Sequence, residues 1–401
     1  MNSSKEKQSK LKYVKLKDVL ACFVFLFMLP AALIAKIFIR NFWLVGEEKN
    51  EARDNGYWFF KYVRENHPER KIAYVINKKC TDFEKVKNLG KVIQWGSLSH
   101  WFWYLTAQKN ISSQKGCKPN PAACYLFEVK LRVWRNKRYF LQHGITINDA
   151  KWLYNKNCRF ELFVCGAKPE YEYVKEKFGY PENNVKLLGF CRFDGLHNFV
   201  AEKNVILVMP TWRSYLVRSH SGIQRSELIN QFISTDYFKK WSEFLTSEKL
   251  NAMLSGSGCK IIFYPHRNMQ IFLDKFKQLS LSENIEIANP EELSVQQAMK
   301  NAACLITDYS SVFFDFAYMG KPVIFYQFDE EAFRAYQYSQ GYFDYHNNPL
   351  GKWSGNLDDC LCQLSNEINC GFEKSDSALE FFEFYDGDNC KRNYEAIAGK
   401  K

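Results

Sequence analysis

The strongest constraint on the fold is a recurring unit: a short apolar run, a polar turn, then a stretch with helical spacing. Examples in the first half are "KIAYVI" (71–76), "KVIQWGS" (91–97), "ISSQKG" (111–116), "RYFLQHG" (138–144), "RFELFVCGA" (159–167) and "VKLLGF" (185–190). The pattern restarts at "NVILVMPTWR" (204–213) and continues through "CKIIFYPH" (259–266), "NIEIAN" (284–289), "ACLITD" (303–308) and "KPVIFY" (321–326). Strands this short and apolar, alternating with helices, pair in parallel sheets covered on both faces. The chain therefore reads as α/β, with two Rossmann-like domains over 46–200 and 201–401 behind an N-terminal segment, 1–45. A polar insert is expected over 214–235 and a final helix near 356–369.

The N-terminal segment has its own logic. Lys5, Lys7, Lys10, Lys12, Lys15 and Lys17 precede an uncharged run from Val19 to Ala35, which Lys36 and Arg40 close. A spanning helix needs about 20 apolar residues, and this run is shorter and holds Pro30. Cations on both flanks favour keeping both ends on the cytosolic side. A monotopic or re-entrant anchor is the preferred reading. A single span and a buried core helix are the alternatives.

The net charge of +11 suits an acidic partner: nucleic acid, anionic lipid or a phosphate-bearing substrate. The aromatics, 17% of the chain, lie inside apolar runs and read mainly as core. No nucleic-acid module is recognisable, and no nucleic-acid partner is expected. The 13 cysteines are scattered from Cys22 to Cys390 without a C-x-x-C pair, which reads as reduced thiols. The chain has no G-x-x-x-x-G-K-[ST] loop, G-x-G-x-x-G turn, H-E-x-x-H helix or strand-end D-x-D. That speaks against a P-loop nucleotidase, a dinucleotide oxidoreductase, a zincin and a metal-dependent transferase. No metal site and no required cofactor are expected.

Ligands of parallel α/β sheets sit beyond the carboxyl ends of the strands, where His143, Arg213, His266 and Asp308 fall. In "LITDYSSVFFDFAYMG" (305–320), Thr307, Asp308, Ser310 and Ser311 sit between a buried strand and a helix start, where N–H groups and hydroxyls suit a diphosphate. The same residues also serve as helix caps without any ligand. His266 and Arg267 can meet phosphate oxygens, the arginine bidentately, or form a surface loop. His143, followed by Gly144, suits a general base for a hydroxyl nucleophile or a structural turn, and Asp149 could orient it. Arg213 could neutralise phosphate or pack on Trp212.

Taken together, these stretches resemble the CDP-glycerol glycerophosphotransferases, the teichoic-acid primase and polymerase enzymes. The resemblance rests on "EARDNGYWFFKYVRENHPERKIAYVI" (51–76), "ISSQ" (111–114), "FLQHGIT" (140–146), "VCGAKPEYEYV" (164–174), "LLGFCRFDGL" (187–196), "MPTWR" (209–213), "FYPHRNMQ" (263–270), "ITDYSSVFFDFAYMGKPVIFYQFD" (306–329) and "GYFDY" (341–345), all in the family's order. It implies a GT-B-like fold, two Rossmann-like domains facing across a cleft, with CDP in the C-terminal domain and the acceptor and membrane at the N-terminal one. His143 matches the family's base and His266 a second essential histidine at the donor phosphates. Thr307, Asp308, Ser310 and Ser311 match the diphosphate segment, while Arg213 and Asp315 lie in family motifs.

The implied reaction transfers glycerol phosphate from CDP-glycerol to a lipid-linked, polyprenyl-diphosphate acceptor at the cytoplasmic face of an anionic membrane, releasing CMP. With residues 1–45 alone before the matching part, a primase or capsule-type transferase is expected over a long-chain polymerase. CDP-ribitol is the alternative donor. A UDP-sugar glycosyltransferase and a non-catalytic scaffold of a polymer-export complex are the rival readings.

Overall fold

The computed structural model describes residues 15–197, 199, 201–217, 225–290, 292–376 and 379–399. The lysines expected at 5–12 lie outside the described residues, as does 218–224 of the polar insert. The chain forms two compact units: one comprises 1–143, 151–194 and 386–401, the other 144–150 and 195–385.

The first unit is built on a seven-stranded sheet of order β3-β2-β1-β4-β5-β6-β7. Its strands are β1 (Trp43–Gly46), β2 (Ile72–Ile76), β3 (Lys91–Gln94), β4 (Lys109–Ser112), β5 (Arg138–Phe140), β6 (Leu162–Cys165) and β7 (Val185–Leu187). Every pairing is parallel. All five residues of β2 are buried, as a strand covered on both faces requires.

An apolar helix, α1 (Leu16–Phe38), precedes this sheet and is long and apolar enough to cross a membrane by length and composition. Its narrow buried stripe, Ala21, Phe25 and Ala32, packs on α3 (Leu98–Thr106) and α4 (Pro121–Tyr125), which come after α2 (Asn55–Asn66) in the chain. Phe25 stacks on Phe127 at 4.2 Å and meets Trp101 edge-on. Phe23, Phe27, Ile34, Ile37 and Phe38 point outward and are exposed.

The second unit has a six-stranded parallel sheet of order β10-β9-β8-β11-β12-β13. Its strands are β8 (Glu202–Met209), β9 (Lys260–Phe263), β10 (Ile285–Ile287), β11 (Ala302–Thr307), β12 (Val323–Tyr326) and β13 (Lys352–Ser354). Trp241, Phe244, Phe263 and Tyr326 make the centre of its core, so these aromatics are packing groups.

After α5 (Lys168–Lys177) in the first unit, the helices that matter below are α6 (Phe313–Tyr318), α7 (Glu330–Tyr336) and α8 (Leu357–Asn369). The last helix, α9 (Asn389–Ala398), belongs to the first unit. Asp194 holds its start, accepting from the backbone N–H groups of Asn389 at 2.9 Å and Cys390 at 2.7 Å. Gly189 packs so tightly there, at φ +75°, that a Cβ would stand 1.9 Å from Asn389 Oδ1. All 13 cysteines are free thiols, most of them buried.

Candidate active site

In the second sheet the strand order reverses between β8 and β11, and a parallel sheet opens a crevice beyond such a switch point. The segments leaving the sheet there are Pro210–Arg213 after β8 and Asp308–Ser311 after β11. His266 follows β9, and Gln327 to Asp329 follow β12. Neighbouring strands thus gather residues that are far apart in sequence.

Hydrogen bonds tie these ends together. The Thr211 N–H donates to Asp308 Oδ1 at 2.7 Å, and the Tyr309 N–H donates to the same oxygen at 2.7 Å. Gln327 Nε2 donates to the Asp308 carbonyl at 2.7 Å, and Thr307 Oγ1 to the Met209 carbonyl at 2.6 Å. The His266 N–H donates to the Pro210 carbonyl at 3.1 Å, which fixes the β9 end against the β8 end.

Arg213 lies at the centre of this network and is fully buried. Nε and Nη2 grip Asp329 in a fork, at 2.8 and 2.9 Å, and Nη1 donates to the Thr211 carbonyl at 3.0 Å. Asp308 Oδ2 stands 2.9 Å from Nη1, an ion pair outside hydrogen-bond alignment. The rings of Tyr237, Tyr309 and Phe333 enclose the guanidinium at 5.1 to 5.3 Å. Burial pushes the Asp308 carboxyl above its ordinary range, and the Arg213 charge opposes that push.

The expected site residues therefore occupy two tiers. Arg213, Thr307, Asp308 and Asp315 are buried, and the first three have their polar atoms turned to protein partners. His266, Ser310 and Ser311 are half-buried and Arg267 is exposed, so these can meet a ligand. His266 Nδ1 accepts from the Asn268 N–H at 3.2 Å, so the neutral ring carries its proton on Nε2. Ser310 Oγ accepts from the Val312 N–H at 3.4 Å. Gly144 packs on Ser311: a Cβ there would meet Ser311 Oγ at 2.6 Å. Asp149, half-buried in the same compact unit, donates its N–H to the Ser339 carbonyl at 3.2 Å.

His143 ends the first stretch of the other unit and is exposed. The residue before it, Gln142, holds a left-handed backbone at φ +59°, a conformation costly for a side-chain-bearing residue. Its side chain compensates, donating to the Val164 carbonyl at 2.6 Å and to Glu170 Oε1, on α5, at 3.0 Å. Asn55 Nδ2 donates to the carbonyls of Leu141 and Gln142, and Arg192 Nη1 to the carbonyl of His143 at 3.1 Å. Gln142, Glu170, Asn55 and Arg192 thus fix the backbone that carries the histidine. Asn55, Gln142, Glu170 and Arg192 all stand within the quoted family stretches, which was the available signal for them.

The switch point of the first sheet lies between β1 and β4. Glu47, directly after β1, is buried, and its carboxyl oxygens accept from the N–H groups of Arg53 at 2.9 Å, Asp54 at 3.0 Å and Tyr57 at 2.7 Å. Burial, with the Asp54 charge beside it, pushes this carboxyl up to about 8 against those hydrogen bonds. A side-chain carboxyl group thus occupies the start of α2, where a Rossmann domain would hold a phosphate.

The family model for CDP-Glycerol:Poly(glycerophosphate) glycerophosphotransferase matches residues 40–399. The chain is 32% identical over 364 residues to the minor teichoic acid biosynthesis protein GgaB of Bacillus subtilis (strain 168), covering 88% of this chain and 39% of that protein. It is 26% identical over 203 residues to the teichoic acid poly(ribitol-phosphate) polymerase of Bacillus spizizenii, covering 50% of this chain and 28% of that one. It therefore spans well under half the length of either relative. Among solved structures, the wall teichoic acid polymerase TagF superposes with a TM-score of 0.63 at 14% identity, covering 97% of this chain and all of that one. That likeness gives the same GT-B-like fold class. With nearly its whole length matched, this chain belongs to the CDP-glycerol:poly(glycerophosphate) glycerophosphotransferase family.

Proposed function

We propose that the chain transfers glycerol phosphate from CDP-glycerol to a lipid-linked acceptor at a membrane surface, in the synthesis of a teichoic-acid or related cell-surface polymer. The observation that carries this reading is the loop Asp308–Ser311, fixed at the switch point of the second sheet by Thr211, Gln327 and Arg213, with His266 at the end of β9, on the other side of β8. The donor diphosphate would take hydroxyls and N–H groups from Ser310 and Ser311, and donors from His266 and Arg267. The first sheet keeps its own switch point filled with Glu47, which speaks for donor binding in the second.

The acceptor hydroxyl attacks the β-phosphorus, the bond to the bridging oxygen breaks and CMP departs with that oxygen. His143 takes the hydroxyl proton, assistance typically worth about 10²–10⁴-fold. The rest of the barrier is charge and alignment, which fixed donors lower. Buried Arg213 acts through Asp308 and Asp329 rather than on phosphate. The outward apolar face of α1 fits a monotopic anchor, and a cytosolic nucleotide donor fits the cytoplasmic face.

CDP-ribitol is the second reading, favoured by the relative whose name specifies poly(ribitol-phosphate). Chromatographic assay of CMP release with CDP-glycerol, CDP-ribitol and a UDP-sugar on bacterial membranes separates the options. A CDP-polyol should turn over, and His266→Ala should lose that turnover. Preference for the nucleotide sugar would overturn the proposal.

A further inference from the structure

At the amino end of β1, β2 and β3, opposite the edge that carries His143, the first unit has a hollow of about 380 Å³. Arg64, Arg70, Lys71 and Lys91 line it, and no acidic side chain does so among the described residues. Ile39, Phe42 and Trp103 give it an apolar wall. Arg64 is held by backbone carbonyls, Nε donating to Leu89 at 3.0 Å and Nη1 to Pro68 at 3.0 Å, while Lys91 and Arg70 lie over aromatic rings. Lys91 Nζ lies 3.8 Å from the Trp103 ring centre, and the Arg70 guanidinium 4.6 Å from that of Trp43. Arg70 Nε is buried without a hydrogen-bond partner, and Lys71 and Lys91 are exposed.

The hollow is tied to the end of α1. Gln108 Nε2 donates to the Ile39 carbonyl at 2.8 Å, and its Oε1 accepts from the Phe42 N–H at 2.7 Å. Phe42 packs on Trp103 at 4.2 Å. One turn earlier, Lys36 Nζ lies 4.2 Å from the Trp134 ring centre. Because α1 is pinned through Phe25 to Trp101 on α3 and to Phe127 just after α4, its exposed apolar face lies along the domain surface. Tryptophans and cations gather where that face ends, as they do at a membrane interface.

We propose that this hollow seats the phosphate headgroup of an anionic bilayer phospholipid, its first tail carbons against Ile39, Phe42 and Trp103. The proposal rests on the membrane-surface reading above and adds a lipid-selective site to it. Four cations without an acid suit a phosphodiester, and the apolar wall suits an amphiphile better than a soluble ion.

The test is flotation of the full chain with vesicles of phosphatidylcholine alone and of phosphatidylcholine with phosphatidylglycerol. The wild type should bind both and prefer the anionic vesicles. Lys71→Gln/Lys91→Gln, at unchanged thermal melting, should weaken anionic-vesicle binding roughly 25-fold, about fivefold per lysine, and leave the neutral vesicles unaffected. Lys240→Gln/Lys249→Gln removes the same charge from exposed positions of the second unit and should change neither. Equal losses in both double variants would mean diffuse attraction and overturn the site. Binding without preference for phosphatidylglycerol would overturn it while leaving the anchor intact. No binding to either vesicle would overturn the membrane reading and the site together.

Discussion

At the residue scale, Arg213 shows where reading from sequence stops. An arginine after a strand, near a phosphate-binding loop, reads as a phosphate ligand. What decides its role is Asp329, 116 positions away, whose carboxylate takes two of its donors. No local pattern announces that pairing. Its removal would leave buried Asp308 and half-buried Asp329 without this counter-charge, so Arg213→Ala is expected to cost about 3–5 kcal/mol. Arg267→Ala, on an exposed side chain, should stay within about 0.5 kcal/mol. Urea denaturation of the two variants checks this, and an Arg213→Ala protein as stable as wild type would contradict the network. His143, His266, Ser310 and Ser311 stood out as candidates because strand-end position and chemistry coincide. Gln142 stood only inside a quoted family stretch, and its left-handed φ leaves no mark in sequence.

At the element scale, the apolar runs located most of the strands. Trp43–Gly46 escaped because it follows the apolar helix with little to separate the two. Lys352–Ser354 escaped because "KWS" has no apolar run to detect. The helix α3, on which α1 rests, is held by a histidine. His100 is fully buried, accepts from the Gly96 N–H at Nδ1 and donates from Nε2 to the Cys117 carbonyl at 2.9 Å. Burial pushes it from 6.5 down to about 4. Between those values the unfolded chain binds a proton that the folded chain refuses. Stability therefore rises with pH across this window and is lost on acidification, by up to about 3 kcal/mol from this residue. Denaturation at the two ends of the window should show that loss in the wild type and a flatter response in His100→Gln. Identical slopes would contradict the assignment.

At the scale of the whole molecule, the two-sheet plan followed from the restart of the strand pattern at 204. The return of 386–401 to the first unit did not, because α9 is secured by Asp194, a partner nearly two hundred positions away. The proposed reaction takes its donor at the second sheet and uses His143 as the base. The direct measurement uses CDP-glycerol labelled in its glycerol, with wild-type and His143→Ala proteins on acceptor-bearing membranes. Label entering the lipid fraction and CMP release are followed together. The account predicts one CMP per label transferred in the wild type, and both slowed about 10²–10⁴-fold in a folded His143→Ala protein. CMP release without labelled lipid, or full transfer by His143→Ala, would contradict it.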